Sequence, residues 1–256
     1  MSTTMPARRV YFLSDLHLGA ACHADTRERE QQVVAWLQSI ADDASHIYLL
    51  GDVIDYWFEY RSVVPRGYVR FLGQLAMMAD AGIKISWLKG NHDLWITDYL
   101  PAELGIEVVD GPIEREIHGR RFFMEHGDGM GAKSWSFNLL RHLFHSKTAR
   151  RLFSAIHPRW TVGFAHRWSA GSRKAGGKIA RGDIDRAVAA LENASRTYLA
   201  GHPGIDFFIY GHLHVALDRV IDRSTRMVLL GDWINRECYA TFSPDEGLIL
   251  HQTPRQ

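Results

Sequence analysis

The order of short apolar runs and helical segments at the start of the chain leaves few folds open. Val10 to Leu13, Ile47 to Leu50 and Ile83 to Leu88 each have the length and apolar content of a buried strand. Phe71 to Ala81 predicts a helix between the second and third runs, and apolar residues at helical spacing precede the second run: Val33, Val34, Leu37 and Ile40. Strands that alternate with helices imply parallel pairing, with the helices packed on the sheet.

From Ile106 onward the predicted strands are more closely spaced along the chain. They are Ile113 to Ile117, Phe122 to Glu125, Phe207 to Tyr210, Arg219 to Ile221, and Met227 to Leu230. This spacing favours antiparallel hairpins, so we expect a mixed α/β sandwich. A further helix is predicted with Asp183 as its N-cap and Gly201 as its C-terminal stop.

Five polar motifs each follow one of the predicted strands. They are Asp15-Leu16-His17, Gly51-Asp52-Val53-Ile54-Asp55, Gly90-Asn91-His92-Asp93, His126-Gly127-Asp128 and Gly211-His212-Leu213-His214. Residues at strand ends project from one edge of a sheet, where α/β proteins place their sites, so the motifs can converge. Gly231-Asp232 also follows a strand, but it has no partner motif, so we interpret it as a turn.

The convergent side chains predict a metal site. The candidate ligands are Asp15, His17, Asp52, Asn91, His126, His212 and His214. Carboxylate, imidazole and amide ligands without sulfur suit Mn, Fe, Zn or Co ions better than a structural zinc site. Two ions roughly 3.5 to 4 Å apart need a bridging ligand, and Asp52 is the predicted bridge.

The segment from Gly129 to Gly182 differs from the rest of the chain in charge. It contains eleven Lys and Arg residues, interleaved with aromatic and aliphatic side chains, and it has no Asp or Glu. We interpret residues 129–182 as a basic, apolar helical lid inserted in a single domain that spans residues 1–256.

The lid leaves three interpretations open. Apolar and basic groups together suit an anionic lipid substrate and an anionic membrane surface. Alternatives are a solvated basic face over an ordinary core, or single-stranded nucleic acid stacked on the aromatic rings. We expect a lipid rather than nucleic acid, and predict substrate contacts at Arg150, Arg151, Phe153, Trp160, Arg173 and Lys174.

Few cysteines and the absence of a long apolar segment bear on the compartment. Cys22 and Cys238 are the only cysteines among the 256 residues, so neither a disulfide framework nor a thiolate metal cluster is expected. No stretch approaches the ~18 apolar residues that a membrane span needs. We therefore expect a cytoplasmic protein, associated peripherally with the inner membrane; the sequence does not predict its oligomeric state.

The five motifs, in this order from Asp15 to His214, resemble those of the calcineurin-like metallophosphoesterase superfamily. More narrowly, Ser14 to Gly19, Asp55 to Tyr60 and the long insert resemble UDP-2,3-diacylglucosamine pyrophosphatases of lipid A biosynthesis. The resemblance implies a four-layer αββα sandwich and two divalent ions, and it suggests manganese as the metal. It assigns one ion to Asp15, His17, Asp52 and His214, and the other to Asp52, Asn91, His126 and His212.

The same resemblance implies hydrolysis of the pyrophosphate of UDP-2,3-diacylglucosamine to UMP and 2,3-diacylglucosamine 1-phosphate, with a hydroxide shared by the two ions as nucleophile. Asn91 would hold a phosphoryl oxygen, His92 the leaving oxygen, and Asp93 would orient the His92 ring, with Asp55 behind the ligands. The best-known pyrophosphatases of this family have Arg at the position of His92. A histidine there can act as a general acid, which keeps a phosphodiesterase or nuclease open as the alternative.

Overall fold

The computed structural model describes residues 9–20, 22, 25–129, 146–157 and 181–253. The strands in these ranges are β1 (Arg9–Leu13), β2 (Ala44–Leu50), β3 (Lys84–Leu88), β4 (Glu107–Val109), β5 (Ile113–Ile117), β6 (Arg120–Glu125), β7 (Phe207–Tyr210), β8 (Ala216–Asp222), β9 (Thr225–Leu230), β10 (Cys238–Ser243) and β11 (Gly247–Gln252). The helices are α1 (Thr26–Ile40), α2 (Val69–Asp80), α3 (Tyr99–Leu104), α4 (Lys147–Ser154) and α5 (Arg181–Gly201).

The first sheet has the strand order β11-β10-β1-β2-β3-β4. The strands β1, β2, β3 and β4 are parallel, which confirms the prediction from the alternating strands and helices. On its other side β1 pairs antiparallel with β10, which forms a hairpin with β11. The sequence did not predict α3, β4, β10 or β11.

The second sheet has the strand order β5-β6-β7-β9-β8. The hairpins β5-β6 and β8-β9 are antiparallel, as expected. The expectation of antiparallel pairing is wrong for the centre of this sheet, because β6, β7 and β9 run parallel. The chain between Glu125 and Phe207 is long enough to cross over and return in the same direction, which a hairpin connection cannot do.

Side-chain alternation along the strands produces four layers. In β1, Tyr11 and Leu13 pack toward α1 and α2, whereas Val10 and Phe12 lie in the core between the two sheets. On the far face of the second sheet, Val188 of α5 packs in a separate core with residues of β6, β7 and β9. The described residues therefore form helices, sheet, sheet and helix, and confirm the expected sandwich.

Two details differ from the sequence prediction or extend it. Helix α5 begins at Arg181, so Asp183 lies in its first turn and is not the N-cap. Within the described ranges, no helix is long and apolar enough to cross a bilayer. Of the proposed lid, α4 and the residues up to His157 are described; residues 130–145 and 158–180 lie outside the described ranges.

Candidate active site

The predicted ligands lie in turns at the carboxyl ends of parallel strands in both sheets. Turns after β1, β2 and β3 of the first sheet carry Asp15, His17, Asp52, Asn91 and His92, and turns after β6 and β7 of the second carry His126, His212 and His214. Both sheets present these ends at the same edge of the sandwich. The site is therefore assembled between the two sheets.

One cluster contains Asp15, His17 and His214. Asp15 Oδ1 lies 3.3 Å from His214 Nε2 and 3.6 Å from His17 Nε2. The two imidazole Nε2 atoms are 3.2 Å apart, so three potential ligand atoms face one point. Within the described ranges no residue donates a hydrogen bond of normal geometry to Asp15 Oδ1, although this oxygen is buried.

A second cluster contains Asp52, His126 and His212, whose ligand atoms lie within 4.8 Å of one another. Asp52 Oδ2 is 3.4 Å from His126 Nε2, and the same oxygen is 3.8 Å from His17 Nε2 in the first cluster. Asn91 Oδ1 lies 3.3 Å from His126 Nε2. The position of Asp52 between the two clusters is the one that a bridging ligand requires.

Glycines are needed where the ligand turns approach each other. A Cβ on Gly90 would lie 2.2 Å from Asp52 Oδ1, and a Cβ on Gly211 would lie 1.9 Å from Ser14 Oγ. Ser14 Oγ donates a hydrogen bond to Asp15 Oδ2, which also accepts one from the backbone N–H of His212. Any side chain at either glycine would push a carboxylate out of place.

The backbone at the site is strained. Five residues hold φ in the left-handed region: Asp15 at 54°, His17 at 44°, Asp52 at 52°, His212 at 67° and His214 at 55°. This conformation costs a non-glycine residue roughly 1–2 kcal/mol. Strain of this kind concentrates at functional sites, where the surrounding fold supports it.

Opposite charges shift the pKa values of the first cluster apart. Burial opposes the charged form of His17, but the Asp15 and Asp55 carboxylates outweigh it and raise the His17 pKa to about 9. For His214, burial is outweighed by Asp15 and Asp232, and the pKa rises to about 10. Burial likewise opposes ionisation of Asp15, yet the adjacent imidazoles hold its pKa below the ordinary value. The carboxylates thus attract positive charge, which a cation could supply in place of the protons.

The donor set fits divalent cations. Nitrogen and oxygen ligands without thiolate match Mn, Fe, Zn or Co. Asp15 Oδ1, buried and facing two imidazole nitrogens, has the environment of a metal-ligand oxygen. These residues could hold two ions, one in each cluster.

His92 points into the site, but its partner is not the predicted one. His92 Nδ1 lies 2.9 Å from the backbone oxygen of Asp55, and Nε2 lies 3.9 Å from Asp52 Oδ2. The buried Asp93 carboxylate instead accepts hydrogen bonds from the backbone N–H groups of Gly90 and Val53 and from the indole N–H of Trp87. The idea that Asp93 orients the His92 ring is therefore wrong, and Asp55 occupies that position.

Asp232 is a site residue that the sequence interpretation missed. Its carboxylate Oδ2 lies 3.3 Å from His214 Nδ1, so the interpretation of Gly231-Asp232 as a mere turn is wrong. The feature that points to Asp232 is the register of the β8-β9 hairpin, in which Ala216 pairs with Leu230. Extending that register by two residues in each direction places His214 opposite Asp232.

The predicted substrate contacts of the lid are only partly described. Phe153 of α4 lies with its ring centroid 4.9 Å from those of both Phe58 and Trp95, which follow β2 and β3. Arg150 and Arg151 are exposed. The remaining predicted contacts lie outside the described residues: Trp160, Arg173 and Lys174.

The sequence is similar to a known protein family and to individual relatives. The sequence model of the calcineurin-like phosphoesterase family matches residues 8–216. A UDP-2,3-diacylglucosamine hydrolase of Porphyromonas gingivalis is 42% identical, with 91% of this chain and 94% of that protein covered. The same-named protein of Nitrosococcus oceani is 24% identical, with 92% and 91% covered. Among solved structures, Vps29 of Chaetomium thermophilum aligns with a TM-score of 0.47 at 8% identity, covering 98% of this chain and 91% of that chain.

Proposed function

The chain belongs to the calcineurin-like phosphoesterase family, and from this premise we propose that it hydrolyses UDP-2,3-diacylglucosamine to UMP and 2,3-diacylglucosamine 1-phosphate. The main support for metal-dependent hydrolysis is the position of Asp52 Oδ2 between the two clusters, 3.8 Å from His17 Nε2 and 3.4 Å from His126 Nε2. The substrate is proposed because a relative of that name is 42% identical over 91% of this chain.

Two divalent ions complete the proposed site, as the family implies, and manganese is the proposed metal. One ion is assigned to Asp15, His17, Asp52 and His214, and the other to Asp52, Asn91, His126 and His212. When bound, such ions would polarise the phosphoryl group as Lewis acids and lower the pKa of water, so that hydroxide is available as a nucleophile near neutral pH. The protein would hold the ligand atoms in fixed positions. The burial of the Asp15 and Asp52 carboxylates supports this role.

His92 and Asn91 are the proposed catalytic residues beyond the bridging carboxylate. Because His92 Nδ1 donates to the Asp55 carbonyl, Nε2 faces the interior of the site, where it can stabilise or protonate the leaving oxygen. A phosphate leaving group needs little protonation, so His92 would act mainly through its position and charge in pyrophosphate hydrolysis. The amide of Asn91, next to His126, would orient a phosphoryl oxygen.

The insert is proposed to bind the lipid. Phe153 packs against Phe58 and Trp95, and we call these three rings the aromatic platform. Next to it, Leu152 and Ile156 are exposed apolar residues of the same segment. An acyl chain against this surface and Trp160, with phosphates or anionic lipids against Arg150, Arg151, Arg173 and Lys174, would bring the enzyme to the cytoplasmic face of the inner membrane.

One observation favours a second candidate function. His92, where well-known pyrophosphatases of the family have Arg, supplies a group that can protonate an alkoxide. A phosphodiesterase or nuclease with the same metal site is the alternative.

A manganese assay with a substrate panel tests the proposal. We expect UDP-2,3-diacylglucosamine to be preferred over deacylated UDP-glucosamine, bis-p-nitrophenyl phosphate and cyclic nucleotides, with UMP as product. Asp52→Ala should abolish turnover, since it removes the shared ligand. Equal rates with and without acyl chains, or stronger activity on a diester, would overturn the substrate assignment.

A pair of variants tests the lid with the substrate in mixed micelles. Phe153→Ser removes one ring of the aromatic platform, whereas the control Val220→Ser removes an apolar side chain of β8 that is 58% exposed. We expect the KM for the diacylated substrate to rise in Phe153→Ser alone, with unchanged rates on bis-p-nitrophenyl phosphate in both variants. Equal effects of the two changes would contradict a specific role of the platform.

A further inference from the structure

The turn after β9 is built around a buried carboxylate. Asp232 is 4% exposed, and its Oδ1 accepts a hydrogen bond of 2.8 Å from the backbone N–H of Asn235. The Asn235 side-chain amide lies 3.1 Å from Oδ2, the oxygen that faces His214 Nδ1 at 3.3 Å. The carboxylate is thus fixed from behind, with one oxygen directed at the imidazole.

The same turn is anchored to the first ligand loop. The backbone N–H of Trp233 donates to the Asp15 carbonyl oxygen at 3.1 Å, and its indole N–H donates to the Cys238 carbonyl at 2.7 Å. Trp233 is fully buried, so the turn has little freedom to move. This backbone hydrogen bond fixes the position of Asp232 relative to Asp15, although the two turns follow strands of different sheets.

His214 needs such a support more than the other imidazole of its cluster. The side chain of His17 is 2% exposed, whereas that of His214 is 34% exposed, so packing alone does not fix the His214 ring. A hydrogen bond to one imidazole nitrogen sets both the tautomer and the orientation of the other nitrogen. With Nδ1–H directed at Asp232, the neutral ring presents an unprotonated Nε2 toward Asp15 Oδ1, which is the form that binds a cation.

We propose that Asp232 is a positioning residue that holds His214 in the ligand orientation and thereby strengthens the binding of one of the two ions. The inference rests on the proposed metal site, and not on the identity of the substrate.

The imidazoles of the Asp15 cluster differ from His126 of the other cluster in the group behind the ring. In the Asp15 cluster, His17 Nδ1 lies 3.3 Å from Asp55 Oδ1, and His214 has Asp232 at the same distance. In the other cluster, His126 Nδ1 lies 2.8 Å from the neutral backbone oxygen of Leu50. Because Asp232 faces His214 of the Asp15 cluster, its loss should lower the affinity for the ion of that cluster and leave the other affinity unchanged.

Manganese titration of the metal-free protein, followed by electron paramagnetic resonance, tests this selectivity. We expect Asp232→Ala to weaken one of the two binding steps about 10- to 100-fold, the usual effect of removing such a partner, and to leave the other step unchanged. Asp232→Asn, which can still accept from Nδ1–H, should retain part of the affinity. Asp222→Ala, an exposed aspartate at the other end of the hairpin, is the matched control and should bind as the wild type does.

The double variant separates positioning from a general structural role. If Asp232 acts through His214, then Asp232→Ala should cause no further loss of affinity when combined with His214→Ala. A further loss in that background would overturn the inference. So would normal binding by Asp232→Ala, or equal weakening of both steps together with a lower unfolding temperature of the metal-free protein.

The outcomes also distinguish this inference from the proposed function. Wild-type protein that binds two manganese ions but does not cleave UDP-2,3-diacylglucosamine would refute the function and leave the selective effect of Asp232→Ala as support for the inference. Wild-type protein that binds no manganese would overturn both.

Discussion

Replacing Asp93 should cost stability rather than disturb the leaving-group chemistry. Its buried carboxylate accepts three hydrogen bonds: from Gly90 N at 2.7 Å, Val53 N at 2.9 Å and Trp87 Nε1 at 3.1 Å. These bonds tie the turn after β2, which carries Asp52, to the turn after β3. Each donor left without a partner costs roughly 1–3 kcal/mol, but burial and the nearby Asp52 carboxylate raise the Asp93 pKa, so removal of the carboxylate also relieves an unfavourable charge. Asp93→Ala should therefore lower the free energy of unfolding by about 3–5 kcal/mol.

Asp93→Asn makes a graded comparison. Its carbonyl oxygen can take the place of Oδ2 and accept from Val53 and Trp87, but its amide then faces the N–H of Gly90 as a second donor. One bond is lost and one buried donor is left unsatisfied, at a cost of about 2–3 kcal/mol. Asp245→Asn, in the exposed turn between β10 and β11, is the control and should change stability by less than about 0.5 kcal/mol.

Urea unfolding followed by tryptophan fluorescence, in EDTA, measures these costs without stabilisation by bound ions. A structural role of Asp93 would be refuted if Asp93→Asn had the same free energy of unfolding as the wild type but lost activity mainly on substrates with poor leaving groups. That result would return Asp93 to a role in orienting His92.

Three further predictions concern other parts of the molecule. His92→Ala should lower turnover of a diester with a poor alkoxide leaving group by roughly 10²- to 10⁴-fold, and turnover of a pyrophosphate much less; equal losses in steady-state rates would show that His92 acts only through charge or position. Gly211→Ala should destabilise the fold by about 1–3 kcal/mol and reduce manganese content, because the new Cβ would lie 1.9 Å from Ser14 Oγ and 2.6 Å from Asp15 Oδ2; normal values in urea unfolding and metal analysis would contradict this. Burial and nearby positive charge lower the pKa of His46 from 6.5 to about 4, so the neutral ring's contribution to stability is complete above pH 6.5 and is lost as the pH falls toward 4; His46→Gln should lessen this pH dependence in urea unfolding, and identical profiles would exclude it.

The convergence of the candidate ligands was predictable because each follows an apolar strand. For Asp15, Asp52 and Asn91, local pattern and chain direction suffice, since strand ends meet at one edge. Asp232 was missed because the imidazole that it faces, His214, is 18 positions earlier, across a hairpin whose register the sequence pattern does not give. Nothing local distinguishes a Gly-Asp at such a point from an ordinary turn.

The strand directions of the second sheet were missed for a related reason. Sequence spacing suggested hairpins, but β6 and β7 are joined through the insert and α5, and such a long connection permits parallel pairing. Strand β10 carries small and polar residues, so its apolar pattern is weak despite its position beside β1. Tertiary pairing, and not local preference, determines these elements.

The position of β1 has a consequence for how the protein is made. Of the strands in the described ranges, β1 leaves the ribosome before the others, yet one of its neighbours, β10, emerges only after β2 to β9. Until Cys238 to Ser243 are available, the edge of β1 and the apolar side chains of Val10 and Phe12 lack their cover, and an open edge strand can pair with other chains. His214 also emerges late, so a nascent chain cannot assemble the first ligand cluster. Completion of the first sheet and assembly of the Asp15 cluster therefore both wait for later parts of the chain, and until β10 emerges the exposed edge of β1 needs protection from aggregation.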